Sequence, residues 1–529
     1  MLKTAYARRG MVVAPHHLAA QAGLAVLREG GDAIEAMVAT SAACAVVAPH
    51  LNGLGGDAYW LINEPGKPPM AIEAAGAAGR AVSPDLYRAA RLAEIPPRGP
   101  LAANTVAGMV AGWSSALAIS RGWGGRLPLA RLLEEAIRHA RDGVPVSAGQ
   151  AALLAQEGGA LLAQPGFGRV YLPGGQPPAA GAPMVQAALA KTLERLAAAG
   201  ADDFYRGELA AVIAAELKAA GSPITREDLA DHWARLVEPV SVRLAGATLY
   251  NLPAPAQGLT ALMILGIVDR LDIPDADGAP FIHSLVEAAK HASRVRDLYI
   301  TDPFYMSVDA KDFLLPEVLD EVAAVIDPGH AQAWSDSGGH GESAWLGVID
   351  GAGRTVSCMQ SLNWGFGSGV ALEHTGVLWH NRGVGFSLQA GAVNHLISGR
   401  KPCHTLCPAL AVFDDGRVMG FGGMSGENQP QSQAALFARY ARFGQGLQAA
   451  VSAPRWFLGR RHGQGGATLK LEDRLAPEVI ESLRHSGHQL ELVEPFCERM
   501  GHAGAVVHTP SGTLEGASDP RSDGGVAGW

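Results

Sequence analysis

A serine that follows a glycine-rich loop and opens a strand has the form of a nucleophile that a chain can expose by cutting itself. Gly338-Gly339-His340-Gly341-Glu342-Ser343-Ala344-Trp345-Leu346-Gly347-Val348-Ile349-Asp350 has that form. A hydroxyl so placed can attack the preceding carbonyl. The amine freed by the cut then has an ordinary pKa of about 7.7 to 8.0, which suits a general base at neutral pH. From these residues alone a plain turn serine looks the same, so the surrounding elements must decide.

Other chemistries find less support. Gly53-Leu54-Gly55-Gly56 lacks the lysine and hydroxyl that a phosphate loop sets beside its glycines. His16, His17, His283 and His291 show no metal-ligand spacing with acids or cysteines. The five cysteines, Cys44, Cys358, Cys403, Cys407 and Cys497, are scattered and read as buried free thiols. No metal and no cofactor are expected. A net charge of -9 without a long basic run excludes a nucleic-acid footprint and favours a small-molecule partner. No run approaches the roughly 18 apolar residues of a membrane span, and the first ten residues are not followed by a signal-peptide core. A soluble, cytoplasmic protein without membrane contact is expected.

The chain has 529 residues, 48% hydrophobic and 18% charged, enough for more than one core. His17 to Gly31 reads as a helix closed by glycine, and Asp32 to Val47 as a second helix of small residues. A glycine-rich turn, Leu51 to Asp57, precedes a short strand at Ala58 to Ile62. The stretch from Leu127 to Leu271 reads as mostly amphipathic helix, with Thr225 capping an acidic first turn. After Gly338 the pattern changes to strands, at Leu346 to Ile349, Thr355 to Gln360, Gly376 to Trp379, Ala409 to Phe413 and Arg417 to Phe421. Helices early and strands late predict an α+β fold with sheets between helical layers, and Ser343 opening the first late strand.

Seven segments in order resemble the gamma-glutamyltranspeptidase family: Leu27 to Ala33, Gly53 to Gly56, Ala140 to Gly143, Asp203 to Gly207, Ile224 to Leu229, Phe366 to Gly369 and Gly516 to Arg521. The resemblance runs from near Met11 to Trp529. It implies a four-layer αββα sandwich of the N-terminal nucleophile hydrolase type. It also implies a zymogen cut autocatalytically between Glu342 and Ser343 into a large subunit, 1–342, and a small one, 343–529. The product would be a heterodimer, with a dimer of heterodimers left open. Ser343 falls where the family has its catalytic threonine, and Ala344 where a second threonine often follows. Serine keeps the hydroxyl but loses the methyl that restricts the rotamer. By the same resemblance Ser361 matches a threonine that hydrogen-bonds the nucleophile and Asn363 an asparagine of the same wall. Ser425 and Gly426 fall in the glycine turn whose backbone N–H groups bind the oxyanion.

The family's glutamate-binding residues do not carry over. The arginine that holds the α-carboxylate aligns with Ala75, the acid that holds the α-amine with Gly385, and the paired serines with His404 and Thr405. A γ-glutamyl substrate is therefore disfavoured. Arg382, His404 and Thr405 still offer a cation and donors, and Arg80 could swing in to replace the missing arginine. These groups suit a short, carboxylate-bearing amide. The segments Asn381-Arg382-Gly383, His50 to Asp57 and Ser425 to Gln431 look like the oxamate amidohydrolase branch, whose reaction would be oxamate plus water to oxalate plus ammonia. Glutathione hydrolysis or glutamyl transfer, and a cephalosporin-type acylase, share the nucleophile and stand as alternatives. A homologue that only binds ligand and never cuts itself is the alternative of another class.

Overall fold

The computed structural model of the chain describes residues 3–334, 341–459 and 467–529. Most of the glycine loop before the nucleophile, residues 335–340, lies outside them. Two seven-stranded sheets carry the molecule. In one, the spatial order is Ala5–Ala7, Leu514–Ser518, Ala503–His508, Val418–Gly423, Ala409–Phe413, Ala247–Asn251 and Val240–Leu244. In the other it is Gly525–Gly528, Met11–Ala14, Glu342–Ile349, Thr355–Asn363, Asp57–Asn63, Met70–Ala74 and Arg235–Val237. Neighbours within both sheets are antiparallel. Segments from before and after Ser343 interleave in each sheet, so a cut there would leave two chains sharing one core.

The alternation of side chains across a strand explains the layering. Along Glu342–Ile349, Ala344, Leu346 and Val348 join the core that the strand shares with the outer helices. Trp345 and Ile349 point the other way, into the core between the sheets. Ser343 belongs to this second set by parity. The outer helix Ala33–Val47 is capped by a reciprocal Asp32–Glu35 box, and all fifteen of its residues are buried. Its small side chains let the helix lie close against the nucleophile sheet. On the far side Gly258–Val268 is likewise wholly buried. Helix, sheet, sheet, helix is the expected four-layer α+β sandwich.

Several elements differ from expectation. Gly376 to Trp379 is not a strand but makes isolated bridges, through Leu378 with Ala371 and Trp379 with Gly55. The middle region holds three strands between Arg235 and Asn251, short and half-polar enough to be lost among its helices. Strands also come early, at Met11–Ala14, and helices late, at Gln429–Phe437 and Pro477–His485. All five cysteines are free, four of them buried and Cys403 half-buried. No helix among the described residues is long and apolar enough to cross a membrane.

Candidate active site

Ser343 is the second residue of its strand and is 1% exposed. The register with Thr355–Asn363 slips here: Glu342 faces Asn363 but Ala344 faces Gln360. Such a bulge re-aims one side chain without breaking the sheet. Its effect is to bring the carbonyl of Glu342 within reach of Ser361, whose Oγ donates a short hydrogen bond to that oxygen. Ser361 Oγ in turn accepts from the Asn363 N–H at 2.6 Å. The bond expected from Ser361 to Ser343 Oγ is thus made instead to the carbonyl of the residue before it. The bond to Ser343 Oγ comes from Gln429 Nε2 at 3.0 Å.

Asn363 takes a left-handed backbone, φ 78°, and its amide donates to Asn381 Oδ1 at 3.1 Å. Strain of this kind in a non-glycine residue is characteristic of functional sites. The glycine turn explains how the chain crowds in behind: a Cβ on Gly56 would fall 2.2 Å from the Ser361 carbonyl oxygen.

Ser425 and Gly426 lie against this wall. Ser425 has φ 148° and ψ 45°, and Gly426 has φ 57°. Gln257 pins the turn by donating to the Gly426 carbonyl at 2.8 Å and to the Thr405 carbonyl at 2.7 Å. From the other side the Met424 N–H donates to the His502 carbonyl at 2.6 Å. Gly341, one residue before Glu342, packs onto the turn, since a Cβ there would lie 3.1 Å from Gly426 Cα. The segment just before Ser343 therefore sits over the turn at Ser425 and Gly426.

Arg382 is buried, 6% exposed, and its Nη1 donates to Thr405 Oγ1 at 3.0 Å. Its Nε has no hydrogen-bond partner among the described residues. Burial pulls the guanidinium pKa down against the attraction of Cys403, Glu427 and Asp57. Gly385 makes the seat: a Cβ there would come 2.8 Å from Arg382 Nη2. Ala75 is buried in the core between the sheets and offers no charge.

His404 is held differently. Its Nδ1 accepts from the Leu406 N–H at 3.2 Å, which leaves Nε2 to donate to Asp57 Oδ2 at 3.0 Å. Burial lowers its pKa to about 4, so it is neutral. Burial would raise the Asp57 carboxyl, yet His380 and His404 hold it well below the usual carboxylate range. With both ring nitrogens engaged, His404 braces Asp57 rather than reaching toward a ligand. Arg80 is not brought to the site: it is exposed and ion-paired with Asp231. Residue spacing gave no sign of either arrangement, because Asp57 and His404 are 347 positions apart.

Two neighbours of Ser343 escaped the sequence reading. Gln429 opens the helix Gln429–Phe437 and is fully buried. His502 lines a small cleft together with Ser343, Ser518 and Ser522. The spacing of His283 also hid a grouping, since His283, Glu287 and His488 bring ligand atoms within 4.8 Å of one another. His283 is already bonded to His488 and to the Asp327 carbonyl, and Lys290 donates to Glu287 at 2.5 Å. An ammonium in contact with the only carboxylate of the set opposes a cation there.

The chain matches the gamma-glutamyltranspeptidase family over residues 19–529. It is 52% identical to an oxamate amidohydrolase proenzyme of Klebsiella pneumoniae, with 98% of each chain covered. It is 36% identical to a glutathione hydrolase-like proenzyme of Bacillus subtilis over the whole of both chains. A solved structure, the cephalosporin acylase from Bacillus halodurans, superposes with a TM-score of 0.91 at 32% identity, covering 100% of this chain and 97% of the other. The chain belongs to the gamma-glutamyltranspeptidase family of N-terminal nucleophile hydrolases.

Proposed function

We propose that the chain cuts itself between Glu342 and Ser343 and then, as a heterodimer of 1–342 and 343–529, hydrolyses oxamate to oxalate and ammonia. The observation that carries the first half is the hydrogen bond from Ser361 Oγ to the Glu342 carbonyl, one residue from a buried nucleophilic hydroxyl. A donor on that oxygen draws charge onto it as the hydroxyl attacks the carbon. After the cut, Ser343 Oγ attacks the substrate amide while its own α-amine takes the proton. The oxyanion rests on the N–H groups of Ser425 and Gly426. The amine returns the proton to the leaving nitrogen, ammonia departs, and water deprotonated by the same amine hydrolyses the ester.

The second half rests on Arg382 with its unmatched Nε, on Thr405 beside it, and on the uncharged Ala75. A small anion without an α-amine suits one buried guanidinium. Similarity to a protein named for oxamate hydrolysis supports the same substrate. Arg80 and the His404 ring have no part in this binding.

Ammonia release from oxamate, set against release from a γ-glutamyl anilide, tests the substrate. Faster turnover of the anilide would overturn the pocket reading. Ser343→Ala should remain one full-length band on a denaturing gel and lose activity by about a thousandfold or more. Wild-type protein that stays uncut yet binds oxamate would instead favour a ligand-binding homologue.

A further inference from the structure

Self-cleavage poses a difficulty that later turnovers do not. Before the cut the Ser343 nitrogen is an amide and cannot take the hydroxyl proton, so another base is needed. Gln429, although bonded to Oγ, is an amide donor and cannot serve. Among the described residues lining the cleft at Ser343, only His502 carries a basic side chain.

The packing between the sheets puts the two residues opposite each other. A Cβ on Gly504 would strike the Trp345 ring at 2.5 Å, and one on Gly347 would lie 3.1 Å from Val506. The two strands therefore run alongside in step, 345 over 504 and 347 toward 506. At the start of these strands Ser343 and His502 line one small cleft. His502 is 5% exposed, and neither ring nitrogen has a hydrogen-bond partner among the described residues. A buried imidazole with no hydrogen-bond partner on its Nδ1 edge among the described residues is uncommon and costly unless it has a task. Glu498 Oε1 lies 3.6 Å from Nε2, where it favours a proton on that edge and leaves Nδ1 as the acceptor.

We propose that His502 is the general base of the self-cleavage step. The inference rests on the self-processing reading above. His502 takes the Oγ proton, directly or across one water, as Oγ bonds to the Glu342 carbonyl carbon. The imidazolium then gives that proton to the Ser343 nitrogen as the carbon–nitrogen bond breaks, leaving an ester and a free amine. Water hydrolyses the ester, its hydroxyl going to Glu342 and its proton to Oγ. From then on the amine is the base and His502 has no proton to move.

His502→Gln and His502→Ala, purified as full-length chains, separate this role from a structural one. Cutting, followed by intact mass, should slow by about a hundredfold or more in both. Added imidazole should restore part of the rate in His502→Ala only. Oxamate turnover per new Ser343 terminus should hold within about threefold of wild type. Cutting at the wild-type rate in both variants would overturn the proposal. So would slow cutting that imidazole leaves unchanged while turnover per terminus falls in parallel, since that marks damage to the Met424 support. Wild-type protein never cut before Ser343 would instead remove the reading on which the proposal stands.

Discussion

Two buried polar regions lie within residues 343–529 and are built on opposite rules. Around Asp519, Arg521 and Arg455 contribute bonds at 3.0 and 2.8 Å, the Ala503 N–H donates at 2.7 Å, and Arg521 continues to Glu472. Among the described residues, every buried donor and acceptor of these four charged side chains finds a hydrogen-bond partner. Burial would raise the Asp519 carboxyl, but Arg455 and Arg521 hold it low. On the side of Ser343 the opposite holds: among the described residues Arg382 Nε, Ser425 Oγ and His502 Nδ1 are buried without hydrogen-bond partners. A satisfied network specifies a shape, whereas unmatched groups store interaction energy for something that arrives later.

The comparison breaks most visibly if one charged group is removed from each region. Asp519→Asn strips a carboxylate from two buried arginines and should cost about 3 to 5 kcal/mol of stability. Thermal and denaturant unfolding would register it, and activity at low temperature should suffer much less. Arg382→Met should do the reverse. Its guanidinium is buried with an idle donor, so an apolar chain of similar length should hold or raise the melting temperature. Meanwhile kcat/KM for oxamate should fall by about 10- to 150-fold, the worth of one charge-assisted contact. If Arg382→Met unfolds early and binds normally, the assignment of the two regions is wrong.

A smaller effect sharpens the same contrast at the nucleophile. Gln429 Nε2 holds Ser343 Oγ, a constraint that the methyl of a threonine would partly supply through its rotamer. Gln429→Met should lower kcat about 5- to 10-fold with little change in KM, the size of one neutral hydrogen bond. In a Ser343→Thr background the same change should cost less. Equal losses in both backgrounds would show that Gln429 does not restrain the hydroxyl.

Much of this architecture was legible in the chain because it is local. The apolar run behind a glycine loop marked the strand that Ser343 opens, and the small residues from Asp32 to Val47 marked a helix. The family resemblance pointed to Ser361 and Asn363 as one wall and to Ser425 and Gly426 as a glycine turn. What could not be read were partners chosen by folding across long separations. His404 looked like a donor until Asp57 and the Leu406 N–H occupied both its nitrogens. His502 precedes an ordinary strand, and nothing in its neighbourhood says that the strand lies against Ser343. Arg80 stood near the missing arginine in sequence, yet its turn faces Asp231 and solvent.

The smallest effect expected concerns the residue that the cut would release. Burial, with Glu498 close by, pushes the Glu342 carboxyl up to about 7. The ordinary value is 4.5, so the folded precursor binds this proton more tightly than the unfolded chain does. Stability from this group is therefore greatest below pH 4.5 and is lost as pH rises through 7. The slope cannot exceed about 1.4 kcal/mol per pH unit for one proton. In precursor kept whole by Ser343→Ala, the melting temperature should fall between pH 5 and 7.5 more steeply than in the same protein carrying Glu342→Gln. Parallel curves would mean that Glu342 sits in its seat without penalty. Divergent curves would give the new C-terminus an electrostatic reason to leave the turn at Ser425 and Gly426 once the bond is cut, opening it to substrate.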